Sequence, residues 1–377
     1  MLAAGVVRGQ QGIHSFELPL PRIEAPDNVL VHVREVGLDG TDYGIVQHKL
    51  QDIAEGRDSM AMGHEMVGVV REVGASVESV APGDAVTVTV RRGCGMCEPC
   101  LHNQSDMCMT GLYTERGIHK LDGYLTEYVV DQEQYVVKVP PEVVPIAVFT
   151  EPLSIAEKAV EQIKVIQSRL PWTCPHPTHD FSSKEWGRCK NALVLGAGPL
   201  GLLATALLRL DNVQTWTADV LPEDSAKARL VTQTGACYVD ARDKSAKELV
   251  EFCSLEGTLN MVIEASGAAG TALDLVNHLA RSSIYVMTGI PREGVLSQID
   301  VAQLIRKIVR ENQVIVGSVN SNRRHFEAAL SHIGDIESGF DGMLGRMITH
   351  RFTLGGIKDA FSVPDPDRIK TVIEIAS

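Results

Sequence analysis

Four of the eight cysteines fall within fifteen residues, at Cys94, Cys97, Cys100 and Cys108, beside Gly93 and Gly95. Four thiolates at that spacing can close a tetrahedral Zn²⁺ site that keeps no position for substrate, so such an ion braces a loop. An iron–sulfur cluster and disulfides are the alternatives, and a reducing compartment argues against disulfides. Of the other four, Cys174 and Cys189 together with His176 and His179 have types and spacing that permit a further metal. A surface loop punctuated by Pro171, Pro175 and Pro177 is the plainer account of them. Cys237 and Cys253 lie in apolar contexts and are expected in the core.

A second chemistry is written as glycines. Ala192-Leu193-Val194-Leu195 runs into Gly196-Ala197-Gly198-Pro199-Leu200-Gly201, and an apolar helical stretch follows. The three glycines suit a tight turn, a close backbone approach to pyrophosphate and helix–strand packing, which together make a dinucleotide site. Asp219 stands at the right distance to accept hydrogen bonds from a ribose 2′-hydroxyl and to repel a 2′-phosphate, and Val220-Leu221-Pro222-Glu223 supplies no arginine for that phosphate. NAD is therefore favoured over NADP, unless Asp219 only caps the next helix. The uncharged run 192–208 approaches membrane-spanning length, but a strand, a glycine turn and a buried helix explain it better.

These groups need elements to hold them. Residues 29–36, 66–73, 85–90 and 124–130 read as short strands between turn signals such as Ala81-Pro82-Gly83-Asp84, which suggests an all-β, barrel-like region. Helical spacing begins at Pro152. From Asn191 apolar runs at 192–195, 214–218, 260–264 and 283–288 alternate with helix-length segments, as in a parallel sheet covered on both faces. After about Gln313 the chain returns to mixed short elements.

At 377 residues, two domains are expected. Apolar residues make up 44% and charged ones 22%, so disorder is not expected. The net charge of −13 is spread along the chain, and Arg323-Arg324 is too short to be a basic patch, which argues against a nucleic-acid partner. The N-terminus lacks the apolar core and cleavage site of a signal peptide, so the expected address is cytoplasmic, with no membrane association.

Gly63-His64-Glu65-Met66-Val67-Gly68-Val69-Val70, Pro82-Gly83-Asp84-Ala85-Val86, the cysteine quartet and the glycine fingerprint occur in the order seen in zinc-containing medium-chain dehydrogenases, which the chain resembles over nearly its whole length. Gly40-Thr41-Asp42, Tyr113-Thr114-Glu115-Arg116-Gly117-Ile118 and Gly317-Ser318-Val319-Asn320 look like the glucose 1-dehydrogenase branch. The resemblance implies an α/β fold. A GroES-like β-barrel catalytic domain would occupy residues 1–155, completed by about 314–377, and a Rossmann doubly wound parallel-sheet domain residues 156–313. A catalytic zinc would lie in the cleft between them.

In that family the first catalytic ligand is usually a cysteine two positions before a serine or threonine. Here it is Asp39, so the implied set is Asp39, His64 and Glu151, with a fourth position for water or substrate oxygen. This oxygen-rich set is harder than one with a thiolate, and Mn²⁺ or Mg²⁺ would compete more readily. Each residue also has a plainer reading. Asp39 can cap a turn, His64 can be a satisfied core histidine, and Glu151 can be a helix N-terminal acid.

Thr41 is placed to start a proton relay. Glu65 would ligate transiently, hydrogen-bond a sugar hydroxyl or stand behind the ligands as a supporting acid. By resemblance Glu115, Glu151 and Asn320, with Thr41, contact the sugar. The alternatives are an ion pair of Glu115 with Arg116 or another base, and a turn role for Asn320. The cofactor set is Gly196, Gly198, Pro199, Leu200, Gly201, Asp219, Ser266, Gly289 and Val319.

The implied activity is hydride transfer from the anomeric carbon of glucose or a related aldose to NAD(P), giving the lactone, with one catalytic and one structural zinc. A zinc-dependent polyol, threonine or other secondary-alcohol dehydrogenase is the first alternative, and a non-catalytic nucleotide-binding sensor the second. A homodimer or homotetramer is implied.

Overall fold

The computed structural model describes residues 1–48, 52–170, 186–254, 259–291, 299–362, 365 and 367–375. Cys174, His176 and His179 lie outside the described residues. The chain forms two compact units, one of Met1–Ser154, Asn320–Glu337 and Leu344–Ser377, the other of Ile155–Val319 with Ser338–Met343.

The first unit is built around the strand Asn28–Leu38. One edge of it pairs with Glu65–Val73, and the other is shared by Tyr128–Gln132 along its first half and Lys370–Glu374 along its second, all antiparallel. Val29, Val31 and Val33 are buried, and then the phase changes to Val36 and Leu38. The register against Glu65–Val73 slips between Val33 and Glu35, so an extra residue on this strand turns its later side chains to the other face. Val136–Lys138 and Ala85–Val88 extend the sheet beyond Glu65–Val73, and Ile348–Thr353 beyond Lys370–Glu374.

The strand expected over 124–130 begins only at Tyr128. Tyr124 and Leu125 are fully buried, and their N–H groups donate to the carbonyls of Gly63 (2.9 Å) and Met62 (2.8 Å), so their backbone is spent on fixing the turn before His64.

The second unit holds six parallel strands in the order Cys237–Asp240, Gln214–Asp219, Asn191–Leu195, Met261–Glu264, Ile284–Met287, Val314–Gly317. In chain order this is 3-2-1-4-5-6, the doubly wound dinucleotide-binding arrangement. Leu193, Val194, Val262, Ile263, Tyr285 and Val286 are buried, as continuous apolar runs under helices on both faces require. Val314–Gly317 falls within the stretch read as mixed short elements, yet it adds the sixth strand to this sheet. Cys237 is a further correction. It opens the edge strand and is exposed, whereas Cys253 is buried as expected. The run at 192–208 resolves into a strand, a turn and the twelve-residue helix Pro199–Leu210. No helix among the described residues is long and apolar enough to cross a membrane.

Candidate active site and metal centres

The four cysteines of residues 94–108 converge, with Sγ atoms within 4.8 Å of one another. Cys94 and Cys100 are 3.9 Å apart and Cys97 and Cys108 4.0 Å. A Zn–S bond of about 2.3 Å sets tetrahedral sulfurs about 3.8 Å apart, so the set fits zinc closely, and these distances are far too long for disulfides. Gly93 is required here, since a Cβ on it would stand 2.4 Å from Cys100 Sγ. The Thr110 hydroxyl and neighbouring backbone N–H groups lower the Cys94 thiol to about 6, while burial and a hydrogen bond with Cys97 push Cys100 up to about 12.

A second cluster is assembled from distant positions. The slip in Asn28–Leu38 delivers Asp39 to the head of the helix Gly40–His48. Its Oδ1 accepts from the N–H of Thr41 (2.8 Å) and Asp42 (3.2 Å), and Asp42 reaches back to accept from the Asp39 N–H at 3.1 Å. This reciprocal cap fixes the Asp39 carboxylate, and capping the turn does not preclude a ligand role. The Thr41 hydroxyl donates to Asp39 Oδ2 at 3.1 Å. His64 stands where Glu65–Val73 begins, with Nε2 3.6 Å from Asp39 Oδ1 and Nδ1 3.8 Å from Asp42 Oδ1. Nδ1 of His64 and Oδ1 of Asp42 are buried with no hydrogen-bond partner among the described residues.

Ligand atoms of Asp39, His64 and Glu65 come within 4.8 Å of one another. Glu65, however, is held through both oxygens by the fully buried Lys370, at 2.7 and 2.6 Å. Glu151, in the first turn of the helix Thr150–Gln167, is buried and feels the charges of His64, Glu65, Asp39 and Lys370, so it belongs to the same pocket but outside that ligand-distance group.

Three of the carboxyls here, Asp39, Glu65 and Glu151, share one lysine, and the crowding appears in the proton affinities. Burial, with the nearby Glu65 and Asp39 charges, pushes Glu151 up to about 8, and burial with Asp39 raises Asp42 to about 7. For Asp39 burial is outweighed by His64 and Lys370, which hold it low, and His64 is held high by Asp39 and Asp42 against its own burial. Such a pocket suits a bound cation, and an imidazole flanked by a carboxylate on its far nitrogen is the usual metal-ligating arrangement.

Glu115 and Asn320, 205 residues apart, meet at 2.6 Å, with Asn320 Nδ2 donating to Glu115 Oε1. Asn320 adopts φ +58 and its Oδ1 accepts from the Ser321 N–H at 2.9 Å, so it is both a turn residue and a partner of Glu115. The base paired with Glu115 is Arg91, through Nε (3.0 Å) and Nη2 (2.9 Å). Arg116 goes instead to Asp131, which it shares with Arg92.

In the second unit Gly196 has φ +97, and a Cβ on Gly201 would stand 1.8 Å from the Gly196 carbonyl oxygen, so the turn and the packing both demand glycine. Gly198 meets nothing within 4 Å. It is the N-cap of Pro199–Leu210 without a side-chain cap, which leaves the first-turn N–H groups, Leu200 among them, open to an anion. Asp219 Oδ2 accepts from the Ala197 N–H at 2.6 Å and Oδ1 from the Val220 N–H at 2.7 Å, tying the acid to this turn. Ser266 donates through its N–H and hydroxyl to Glu264 Oε1, both at 2.7 Å, and a Cβ on Gly289 would reach Glu264 Oε2 at 2.5 Å. Val319 is half exposed, and its carbonyl accepts from Lys158 at 3.1 Å.

Sequence reasoning missed Asp42, Lys370, Arg91 and Glu264. Asp42 carried a signal in its spacing of three from Asp39, whereas Lys370 lies 305 residues from Glu65 and carried none.

A GroES-like unit and a 3-2-1-4-5-6 sheet with a glycine turn are the architecture of the medium-chain dehydrogenases. Residues 25–141 match the alcohol dehydrogenase GroES-like domain, and 144–375 match the glucose dehydrogenase C-terminus. Glucose 1-dehydrogenase 1 of Caldivirga maquilingensis is 39% identical, covering 92% of this chain and 91% of that protein. Glucose 1-dehydrogenase of Methanocella arvoryzae is 33% identical over 100% of both. Among solved structures, Haloferax mediterranei glucose dehydrogenase in complex with NADP, Zn and gluconolactone superposes with a TM-score of 0.87 at 30% identity, covering 100% of each chain. The chain belongs to the glucose dehydrogenase family of zinc-containing medium-chain dehydrogenases.

Proposed function

We propose that the chain oxidises the anomeric carbon of glucose or a related aldose to the lactone, with NAD preferred over NADP and with two zinc ions, one catalytic and one structural. The observation that carries this reading is the full-length likeness to a glucose dehydrogenase bound to gluconolactone, joined to a polar Glu115–Asn320 pair suited to sugar hydroxyls. A bound nicotinamide would supply the hydride acceptor for the anomeric carbon, and a bound zinc would supply polarisation of the hydroxyl there. Asp39, His64 and Glu151 would hold that zinc. Glu65, engaged by Lys370, stands behind them, and the Asp42 carboxylate lies 3.8 Å from His64 Nδ1, close enough to favour a positive charge on the imidazole. Thr41, whose hydroxyl donates to Asp39 Oδ2 at 3.1 Å, keeps its oxygen lone pairs to accept a hydrogen bond from the substrate hydroxyl. Residues 94–108 hold the second zinc.

Gly196, Gly198, Pro199, Leu200 and Gly201 form the pyrophosphate cradle, Asp219 receives the ribose hydroxyls, and Ser266, Gly289 and Val319 line the rest of the cofactor site. Asp240 is aligned with Asp219 on the neighbouring strand and holds Arg242 at 2.9 and 3.0 Å, which keeps that guanidinium occupied and so withheld from a 2′-phosphate. This supports NAD. Residues 1–155, completed from about 320 rather than 314, serve as the catalytic domain, and the stretch from 156 through the strand Val314–Gly317 as the cofactor domain.

A homodimer or homotetramer is supported by apolar surface that is exposed among the described residues. Val301, Ile305 and Val309 recur on one helix and are 56–68% exposed, next in sequence to the edge strand Val314–Gly317. A cytoplasmic address accords with the unpaired thiols of residues 94–108.

The test is an absorbance assay for NADH and NADPH with glucose, galactose, xylose and a polyol on metal-analysed protein. Aldose-dependent reduction with a lower KM for NAD is expected. Turnover of the polyol alone points to a polyol dehydrogenase, and silence with cofactor and zinc bound points to a sensor.

A further inference from the structure

We infer that Arg91 is a positioning residue for sugar recognition, fastening the Glu115 carboxylate to the cysteine lobe so that lobe order and sugar affinity are linked. The inference rests on reading Glu115 and Asn320 as sugar-binding groups. Arg91 lies three residues before Cys94, on the short strand Arg91–Arg92 that leads into the lobe, and its side chain is buried. Nε and Nη2 are spent on Glu115 Oε1, and Nη1 donates to the carbonyl of Asp106 at 2.7 Å, inside the lobe's turn Ser105–Met107. The Arg91 carbonyl accepts from the Ser105 hydroxyl at 3.3 Å, and the guanidinium lies 4.1 Å over the Tyr113 ring.

A second strap runs in parallel. Asn322 Nδ2 donates to Asp106 Oδ1 at 3.0 Å, two residues from Asn320. Asp106 is thus gripped at its carbonyl by Arg91 and at its carboxylate by Asn322. The two grips lead to Glu115 and to Asn320, the pair that meets at 2.6 Å.

This arrangement divides the labour of the Glu115 carboxylate. Oε1 receives three donors, two from Arg91 and one from Asn320. Among the described residues Oε2 receives none, so it remains the acceptor for a substrate hydroxyl. A carboxylate has no proton to offer, so the site selects a hydroxyl donor at that position. Only a planar fork can reach Glu115 and Asp106 together. A lysine offers a single point of charge.

The link is testable because binding linkage is reciprocal: if lobe order favours sugar, sugar must favour lobe order. The proteins compared are wild type, Arg91→Met, Arg91→Lys, Glu115→Gln, the Arg91→Met/Glu115→Gln double and Asn322→Ala, each with its zinc quantified. Arg91→Met is expected to raise the sugar KM about tenfold, with kcat and the cofactor KM changed less than about twofold, and Arg91→Lys to recover only part of the loss. The double is expected to add little to Glu115→Gln alone, because both act through one carboxylate.

Without turnover, release of the lobe zinc to a chromogenic chelator is expected to slow when glucose saturates wild type and not when it is added to Arg91→Met. A zinc-loaded Arg91→Met with unchanged sugar KM, effects that multiply in the double, or zinc release indifferent to sugar in wild type would each overturn the link. Should Arg91→Met not fold, Asn322→Ala carries the same comparison from the other strap. A wild type that oxidises no aldose removes the sugar-site reading itself, whereas an active wild type with an insensitive Arg91 removes only the positioning role.

Discussion

The cysteine lobe draws four soft donors from one segment of fifteen residues, while the pocket around His64 draws hard donors from a helix cap, a strand end and the start of a second helix. The lobe's sulfurs are only partly buried and already stand at zinc-like separations. The pocket is buried, crowded with acids, and braced by a lysine from the far end of the chain. A local metal motif satisfies itself wherever its loop is placed. A dispersed one exists only after the sheet has formed.

The largest test of this contrast is His64→Ala. Loss of the central nitrogen is expected to lower kcat/KM for the sugar by about 10³-fold and to remove one zinc per chain by elemental analysis, with the melting midpoint little changed. Cys100→Ser should do the reverse. It should remove the other zinc and lower the melting midpoint by about 10 °C, with a smaller effect on turnover per folded molecule. If both variants lost both ions, the two sites would not be independent and the contrast would break.

A smaller effect probes what carries the lobe. Asp131 accepts from Arg92 at 3.1 Å and from Arg116 at 3.1 and 2.8 Å, and Arg92 stands two residues before Cys94. Burial alone would push Asp131 up, but the two guanidinium groups overcome it and hold the carboxyl below its ordinary range. Its stabilisation is therefore present above about pH 4, the unfolded value, and is lost as pH falls through the lower folded value. Asp131→Asn is expected to cost about 3 kcal/mol at pH 7 in urea unfolding, because it leaves buried arginines unpaired. The gap from wild type should stay level down to about pH 5 and narrow below pH 4. A gap that widened in acid would contradict the assignment.

What was legible in the sequence divides along the same line. The glycine turn, the seven-residue span of Cys94–Cys100 and the apolar runs of the parallel sheet are contiguous, so periodicity and spacing exposed them. The turn status of Tyr124 and Leu125 was hidden, because an apolar alternation cannot tell a strand from a buried segment whose N–H groups bond elsewhere. Asp39, His64 and Glu151 were reached only through resemblance, since no local pattern joins residues so far apart. Lys370 and Arg91 were missed for the same reason. Their partners, Glu65 and Glu115, are brought to them by strand pairing at separations of 305 and 24 residues. Cys237 was misplaced because an edge strand carries the same residues as an inner one but lacks a neighbour on one side.

The smallest expected effect asks how far a contiguous motif can be trusted for selectivity. Asp219 is bound to the glycine turn through the Ala197 N–H, so its carboxylate is fixed before any cofactor arrives. Asp219→Asn keeps a hydrogen-bonding side chain at that position but removes the charge that repels a 2′-phosphate. The ratio of kcat/KM for NAD over NADP should then fall about tenfold, chiefly through a lower KM for NADP, with sugar KM unchanged. Asp240 limits the gain, because its own carboxylate lies in register beside Asp219 and keeps hold of Arg242. Adding Asp240→Asn should release that guanidinium and push the ratio further toward NADP. If neither variant moved the ratio, the strand-end acids would be structural caps, and cofactor choice would reside in a dispersed set that spacing does not expose.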